Sequence, residues 1–473
     1  YMAIEGTKTA RVTMPTKEFE DAVNRLLKGE LKLRNVASEL GIKEKLAAQI
    51  RRKYLNRKYG IDLRALDKLD NAKFMDFDEA ARKHTSQIVG TTGSLPISFI
   101  EIPPGLISGG YTDINEGRPM FLSTTEKGVV ETTQRGLSVI IAANEAATNG
   151  GAVEIHHIGD GMTRSVTLST GSQSAVKKIK EFVESDEGFG YLKSVFEHGK
   201  SHTKLKSIMS IPQDTEITLR YIADTGAAMG MNGTTSGAAD ATRALADILM
   251  ASNEASALLA QQLGIGIKVD NADIVAQSGN LCTDKKVSSI NMLLGRGVSM
   301  TVGVDIPENI IISKLKTTPA KLYQINYEKN YRNASIGGVM GNNSAVANIA
   351  AAVYPIYGQD VAQIVGTTHT MDDIEILANG ALRFRLIIPV LEVGTVGGGT
   401  SMELAKAMLK ASGFYDPTDD AGITRLKLAE AFATLFLAYE LSTLAAQRTE
   451  SLTGIHEQAR QSASDAIRDS KRD

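Results

Sequence analysis

With 473 residues the chain exceeds one ordinary domain, so two or three domains around sizeable cores are expected. Lysine plus arginine (52) nearly balance aspartate plus glutamate (54), and a net charge of −2 without a basic stripe argues against a nucleic-acid binder. The single cysteine, Cys282, rules out an internal disulfide framework and a cysteine-based zinc site, and fits a reducing, cytoplasmic setting.

The chain opens Tyr-Met-Ala-Ile-Glu-Gly, without the charged-then-apolar pattern of a signal peptide. Residues 15–85 are charged and helical in pattern. Thr16 is placed to cap a helix whose Phe19, Val23, Leu26 and Leu27 share one apolar face. The basic cluster Arg51-Arg52-Lys53 with Arg57-Lys58 reads as a solvated helix face. The helical N-terminal region is therefore drawn over 1–88.

Near residue 90 glycine and proline become dense, in Gly90-Thr-Thr-Gly-Ser-Leu-Pro and Ile102-Pro-Pro-Gly, which predicts strands and tight turns. A buried helix is expected over 129–147, entered from Leu122-Ser-Thr-Thr-Glu-Lys-Gly. Glu126 there either complements the helix dipole or does chemistry. Asp160-Gly-Met-Thr-Arg164 reads as a turn with a surface arginine, or as a guanidinium offered to a carboxylate. His156-His157 has no spaced partner, and no metal site is expected.

Residues 166–277 read as an inserted module between the two parts, 89–165 and 278–473, of a larger mixed α/β domain. Strand-like runs at 165–169, 205–211, 216–222 and 266–269 alternate with helices at 175–183 and 235–252. Strand, helix, strand, strand, helix, strand is the order of a ferredoxin-like sandwich. Asp224-Thr-Gly-Ala-Ala-Met-Gly-Met-Asn232 joins a strand to a helix, and its glycines would let a phosphate approach a helix N-terminus. Its spacing is not the Rossmann GxGxxG. Gly199-Lys-Ser is no P-loop either, because Ser194 occupies the place of the first glycine.

Ser278-Gly-Asn-Leu-Cys-Thr-Asp-Lys-Lys286 sets adjacent lysines after an aspartate and a polar turn, so a cation could neutralise an oxygen that becomes charged. Gly358-Gln-Asp360 ends an apolar helix, and its carboxylate makes Lys285 an attractive partner. Gly394-Thr-Val-Gly-Gly-Gly-Thr400 strips side chains from a loop that a ligand could approach. The apolar run 431–439, between Glu430 and Glu440, is too short to span a bilayer, which takes about 20 residues. The charged end, 457–473, is expected to fray.

In order, Thr124-Thr-Glu-Lys-Gly, Asp160-Gly-Met-Thr-Arg, Ala228-Met-Gly-Met-Asn, Ser278-Gly-Asn-Leu-Cys-Thr-Asp-Lys-Lys, Gly358-Gln-Asp and Leu391-Glu-Val-Gly-Thr-Val-Gly-Gly-Gly-Thr resemble hydroxymethylglutaryl-CoA reductase over about residues 80–456. The likeness is closer to the eukaryotic and archaeal class than to the bacterial one. It implies an α+β protein: a helical N-terminal region, a large mixed α/β substrate-binding domain and an inserted ferredoxin-like domain for a nicotinamide dinucleotide. It further implies reduction of the thioester to mevalonate and CoA by two hydride transfers. Lys285 would then stabilise the thioester oxyanion, Asp360 hold and tune Lys285, Glu126 donate a proton in the aldehyde step and His456 protonate the CoA thiolate. Arg164, Ser278, Asn280, Asp284, Lys286, Lys329 and Asn348 would grip the acyl group. Asp224, Thr225, Gly226, Met229, Gly230, Met231, Asn232, Gly397 and Gly398 would hold the dinucleotide. A homodimer or dimer of dimers with shared sites is implied, and no membrane span.

Departures from the family pattern are Ser94-Leu-Pro-Ile-Ser98 in place of Glu-Asn-Val-Ile-Gly, Ala227 for an aspartate, Ala345 for a histidine, and Leu452-Thr-Gly-Ile-His-Glu without basic surroundings. Asp224 stands where the eukaryotic enzymes carry an arginine suited to a 2′-phosphate. A carboxylate repels that phosphate and accepts from a free 2′-hydroxyl, so NADH is favoured over NADPH. The rivals are a same-fold oxidoreductase on another acyl-CoA or oxidising mevalonate, and a non-catalytic acyl-CoA-binding protein.

Overall fold

The computed structural model describes residues 14–61, 63, 66, 88–91, 95–112, 117–126, 128–147, 153–200 and 202–448. The described start of the chain is helical: α1 (Thr16–Leu27), α2 (Val36–Leu40) and α3 (Glu44–Tyr59). Of the expected face of α1, Val23 and Leu26 are buried, with Ala22 beside them, and Phe19 packs partly buried against the core, whereas Leu27 is exposed. Thr16 does not cap this helix; Pro15 takes the cap position, its carbonyl accepting the Phe19 N–H at 3.1 Å, and Thr16 is the first helical residue.

The basic cluster on α3 is not uniformly solvated. Arg51 and Arg52 are 1% and 6% exposed. Arg51 donates from Nε to the Leu33 carbonyl at 3.0 Å and pairs with Glu44, whereas Arg52 reaches the carbonyl of Val89 on β1 (Ile88–Thr91). Buried guanidinium groups need such acceptors, and distant backbone supplies them. Arg57 and Lys58 do stay exposed.

Strand β1 pairs antiparallel with β2 (Pro96–Ile102), which pairs with β4 (Arg118–Ser123) in a three-stranded sheet. The short β3 (Ile107–Ser108) runs parallel to the start of β5 (Val153–Ser169). Between them lies α4 (Val129–Ala146), the buried helix expected from the pattern.

β5 serves two sheets at once. Its first half, Glu154 to Gly161, pairs with β9 (Arg296–Ile306), which continues to β11 (Leu382–Leu391) and β10 (Met371–Ile376). Its second half, Met162 to Ser169, lies between β7 (Glu216–Asp224) and β8 (Asp273–Ala276), with β6 (Lys204–Gln213) outside β7. The order β8-β5-β7-β6, antiparallel throughout, is the ferredoxin-like arrangement. Helices α5 (Gln173–Val183) and α6 (Asp186–Glu197) join β5 to β6, while α7 (Met231–Met250) and α8 (Glu254–Gln262) join β7 to β8.

Two expectations are corrected here. The closing strand is 273–276 rather than 266–269, because Val269 is buried against the helices and its N–H goes to Leu249 at the end of α7. Asp160–Arg164 is no turn: it runs extended along β5, opposite Val298 at one end and Tyr221 at the other.

Apolar residues gather into a large core and a separate smaller one confined to residues 166–274. The large core is threaded by α13 (Ile423–Arg448), numbered after α9 (Ser289–Leu294), α10 (Pro319–Ile325), α11 (Val346–Val353) and α12 (Glu403–Ala411). The apolar run 431–439 is the middle of this helix. By length and hydropathy α13 could cross a membrane, but its whole apolar window is buried inside the protein. Helix α4 crosses it closely: a Cβ on Gly136 would lie 1.8 Å from the Ala438 carbonyl oxygen.

Candidate active site

The segment Ser278–Lys286 leaves the smaller unit at the edge of β5 and is pinned at both ends. Gly279 N–H bonds to the Ser165 carbonyl at 2.9 Å, Cys282 N–H to Ser165 Oγ at 3.1 Å, and Asn291 Nδ2 to the Thr283 carbonyl at 3.1 Å. Three residues without a glycine's freedom, Asn280, Thr283 and Lys285, adopt φ of 64°, 46° and 57°. Such conformations cost energy and persist only where surroundings impose them. Their consequence is to turn Lys285 outward, where Nζ lies 2.9 Å from Asp360 Oδ2. Asp360 follows α11 and its turn, and its other oxygen accepts the Ala362 N–H at 3.1 Å. Both side chains are partly exposed, 42% and 34%, so the pair adds little stability and remains open to a ligand.

Behind Lys285 the charges are buried. Asp284 accepts from Gln363 Nε2 at 2.9 Å, pairs with Arg296 at 3.1 Å and faces Arg164 at 3.8 Å. Burial works against its charged form, but Gln363 and the charges of Arg296, Arg164 and Lys285 outweigh it and hold the carboxyl below its usual range. Arg296, fully buried, also pairs with the buried Glu392 and donates to Thr163 Oγ1 at 3.1 Å. Neither Arg296 nor Glu392 was assigned a role from the sequence. Each is a lone charge flanked by glycine or aliphatic residues, and that isolation was the available signal.

Arg164 is buried and donates to Thr235 Oγ1 at 2.8 Å and to Ser278 Oγ at 2.9 Å. Of the two readings of Asp160–Arg164, the guanidinium facing a carboxylate is the one found. Cys282 lies beside it. Burial opposes the thiolate, yet hydrogen bonds from Ser165 and Asp284 and the Arg164 charge bring the thiol down to about 7.

A second grouping forms where α11 begins. Asn348 Nδ2 donates to Glu126 Oε1 at 3.1 Å and to the Tyr439 hydroxyl at 3.2 Å. Glu126 sits in the turn between β4 and α4, exposed, with its N–H on Thr124 Oγ1 at 3.0 Å. Lys329 lies in a π-helical stretch, Asn326–Asn333, and reaches Asn330 Oδ1 at 3.0 Å and the Ser344 carbonyl at 3.4 Å. Burial lowers its affinity for a proton, offset by Glu440 and Asp372. The same segment that starts with Asn348 ends at Asp360, so α11 links the two groupings.

The glycine-rich loops meet each other. Thr395 N–H bonds to the Ala227 carbonyl at 2.8 Å, and Ala228 bridges Val396. Gln359 clamps Gly394 through bonds of 2.9 and 2.8 Å, which ties the loop to Asp360. Gly397 and Gly398 have positive φ, lie exposed, and have open space where a Cβ would stand. Across from them, Asp224 Oδ1 accepts the Gly226 N–H at 3.0 Å, Thr225 Oγ1 donates to the Ala228 carbonyl at 2.8 Å, and Met229, Gly230, Met231 and Asn232 lead into α7. That helix start, which has no side-chain cap, and the opposed Gly397 and Gly398, with open space where a Cβ would stand, fit a dinucleotide pyrophosphate.

Two other predicted residues lie on the same turn as Lys285. Asn280 is exposed, and Lys286 Nζ turns back to the Asp284 carbonyl at 3.3 Å. His456, Lys127 and Ser94 lie outside the described residues.

Comparison with known proteins settles the lineage. The sequence profile of hydroxymethylglutaryl-coenzyme A reductase matches residues 47–461. The chain belongs to the hydroxymethylglutaryl-coenzyme A reductase family. It is 30% identical to the 3-hydroxy-3-methylglutaryl-coenzyme A reductase of Pyrococcus abyssi, over 92% of this chain and 98% of that one. Identity to the Methanocaldococcus jannaschii enzyme is 31%, over 93% and 99%. To the Nicotiana sylvestris enzyme it is 29%, over 99% of this chain and 71% of the relative. Among solved structures, a class II reductase from Streptococcus pneumoniae bound to NADPH shares the fold at a TM-score of 0.52 and 16% identity, over 84% of this chain and 96% of that one.

Proposed function

We propose that this chain reduces 3-hydroxy-3-methylglutaryl-CoA to mevalonate and CoA in two hydride transfers. Family membership supports the reaction, and the observation that carries it to residues is the Lys285 Nζ–Asp360 contact of 2.9 Å on a strained turn beside the glycine-rich loops. Lys285 neutralises the oxyanion that forms when hydride adds to the thioester carbonyl, and Asp360 holds and aims the ammonium. Glu126, steadied by Asn348, donates a proton in the aldehyde step. His456 protonates the departing thiolate. Arg164, Ser278, Asn280, Asp284, Lys286, Lys329 and Asn348 hold the acyl group, whose carboxylate needs cations.

A nicotinamide dinucleotide held between the 224–232 turn and Gly397-Gly398 supplies the hydride. The inserted region 166–277 is the cofactor-binding domain on this reading, within the large domain of 89–165 and 278–473. Asp224 favours NADH, because its carboxylate repels a 2′-phosphate. The class is the eukaryotic and archaeal one: likeness at about 30% runs over 98% and 99% of two archaeal relatives and over 71% of a plant one. Copies of the chain assemble with shared sites. Exposed apolar residues beside Lys285 and Lys286 support this, namely Val287, Leu293 and Leu294, with Ile336, Val339 and Met340 close by.

The test is oxidation of NADH and of NADPH, in parallel, by purified protein given 3-hydroxy-3-methylglutaryl-CoA, with Lys285→Ala as control. Turnover should fall by a factor on the order of 100 to 1000 or more in the control, the cost of losing one oxyanion-stabilising group. Turnover unaltered by Lys285→Ala would refute the assignment. A folded wild-type protein that turns over only another acyl-CoA would move the reading to that substrate.

A further inference from the structure

Beneath Lys329, two carboxyl groups meet in the core. Asp372 on β10 and Glu440 on α13 are both 0% exposed and are brought together by Asn330, which donates to Asp372 at 2.9 Å and to Ser344 Oγ at 3.4 Å, and by Ser344, whose N–H donates to Glu440. Two buried carboxylates that act on each other are acceptors only, so their approach requires a proton between them. Its location follows from the neighbours. Glu440 accepts the backbone N–H groups of Ser344 and Ala345 at 2.6 and 2.8 Å, which favours its ionised form. Asp372 Oδ2 accepts from Asn330 Nδ2 at 2.9 Å, but its Oδ1 is buried with no donor. The proton therefore sits on Asp372 Oδ1 and is given to Glu440.

We propose that Asp372 and Glu440 form a single-proton pair that sets the charge behind Lys329, and that the acyl carboxylate binds there only while the pair keeps its proton. With one proton, Lys329 and the pair sum to zero charge, and a carboxylate meets a cation. Without it they sum to −1 and repel the substrate. The inference rests on the reading that Lys329 receives that carboxylate.

The other groups around the pair do not replace this control. From the π-helical stretch come Lys329, Asn330, Asn326 (to the Asp372 carbonyl) and the Tyr331 hydroxyl, which donates to the same carbonyl at 2.6 Å. On β10, Asp373 is engaged by Arg385 at 2.7 Å. From α13 come Tyr439, bonded to Asn348 and so to Glu126, and Ser442, held by Arg135 of α4 at 2.8 Å. The charge of Lys329 thus acts on both carboxyls.

Burial first, then each other's charge, raises Asp372 well above the ordinary carboxyl range; Glu440 is raised too, by burial, against the pull of its two backbone donors. A raised value means that the proton is held at neutral pH and lost as pH rises through that value. The pair therefore acts on the alkaline side.

The full chain is assayed for KM towards 3-hydroxy-3-methylglutaryl-CoA from neutral to alkaline pH, beside Asp372→Asn, whose amide N–H donates towards Glu440 at every pH. Wild-type KM should rise about tenfold per pH unit once the pair ionises, as one obligatory proton requires. Asp372→Asn should be flat over that range, and the KM for cofactor unchanged in both. Infrared spectra should show a protonated-carboxyl band in the wild type, absent from Asp372→Asn and titrating with KM. Coincident KM profiles, or no such band in the wild type, would overturn the proposal even if the variant misfolds. Lys329→Met separates the two readings. A raised KM there with coincident profiles removes the pair alone, and an unchanged KM removes the carboxylate site at Lys329 with it.

Discussion

Asp224 closes β7 and is only partly exposed, and its Oδ1 is already committed to the Gly226 N–H at 3.0 Å. On the proposed reading its second oxygen meets the cofactor's ribose, and its charge acts on a 2′-phosphate bound at the start of α7. Replacing it by arginine changes two things at once: the charge reverses, and the turn loses an acceptor worth about 1 kcal/mol. Asp224→Asn separates them, because its amide oxygen still accepts from Gly226 while the charge is gone. We expect the ratio of kcat/KM for NADH over NADPH to fall by about tenfold or more in Asp224→Arg, equivalent to about 1.4 kcal/mol, and by less in Asp224→Asn. Steady-state kinetics with both cofactors decide it, and a ratio unmoved in both variants removes the carboxylate from cofactor choice. At this scale the sequence was readable wherever chemistry repeats a short pattern. The pairing of Lys285 with Asp360 could be anticipated because a carboxylate among small residues needs a cation. Burial of Arg51 and Arg52 could not, since their acceptors are the carbonyls of Leu33 and Val89, which only the fold brings near. Asp372 escaped for the same reason: its partner Glu440 stands on another element.

Helices show how local propensity and packing can disagree in sign. Glycine in a helix interior is about 1 kcal/mol worse than alanine, so adding a methyl should stabilise where there is room. Gly190, exposed within α6, has nothing within 4 Å of a built Cβ. Gly136, in α4, would place that atom 1.8 Å from the Ala438 carbonyl oxygen of α13, and backbone cannot step aside as a side chain can. We expect Gly190→Ala to raise stability by up to about 1 kcal/mol and Gly136→Ala to lower it by about 1 to 3 kcal/mol, the usual range for overpacking. Denaturant titrations of the two variants measure both, and equal effects would mean that α4 and α13 are not in close contact. Element boundaries were legible by the same logic. The ferredoxin-like order and the helix at 129–147 follow from periodicity, which packing reinforced. The closing strand was misplaced at 266–269 because an apolar run can bury itself against a helix as readily as pair in a sheet. The apolar run 431–439 is the middle of α13, although Glu430 and Glu440 bracket it. Both are buried acceptors of backbone N–H groups, so the helix runs on through them.

Across the whole molecule, apolar exposure is uneven. Leu293 is 83% exposed and Ile336 78%, and they belong to the two segments whose Ser289 and Met340 approach to 4.0 Å. Val287, Leu294, Val339 and Met340, in the same two segments, are exposed as well. Large aliphatic side chains in a contiguous patch mark an association surface more often than a monomer's ordinary exterior. A self-complementary contact would place the patch of one copy on its equivalent in another, which is the commonest geometry for homo-oligomers. The Lys285 turn proposed to do the chemistry adjoins Val287, so on that reading association and chemistry are coupled. We expect the protein to sediment as a multiple of its 50.6 kDa chain. Leu293→Asp with Ile336→Asp should shift it towards the single chain, because burying either carboxylate without a partner costs several kcal/mol. If copies share the site, 3-hydroxy-3-methylglutaryl-CoA turnover falls with the dissociated fraction and recovers at high protein concentration. A wild-type protein that sediments at 50.6 kDa while fully active would remove the shared site. A double variant that stays assembled would place the contact elsewhere on the surface.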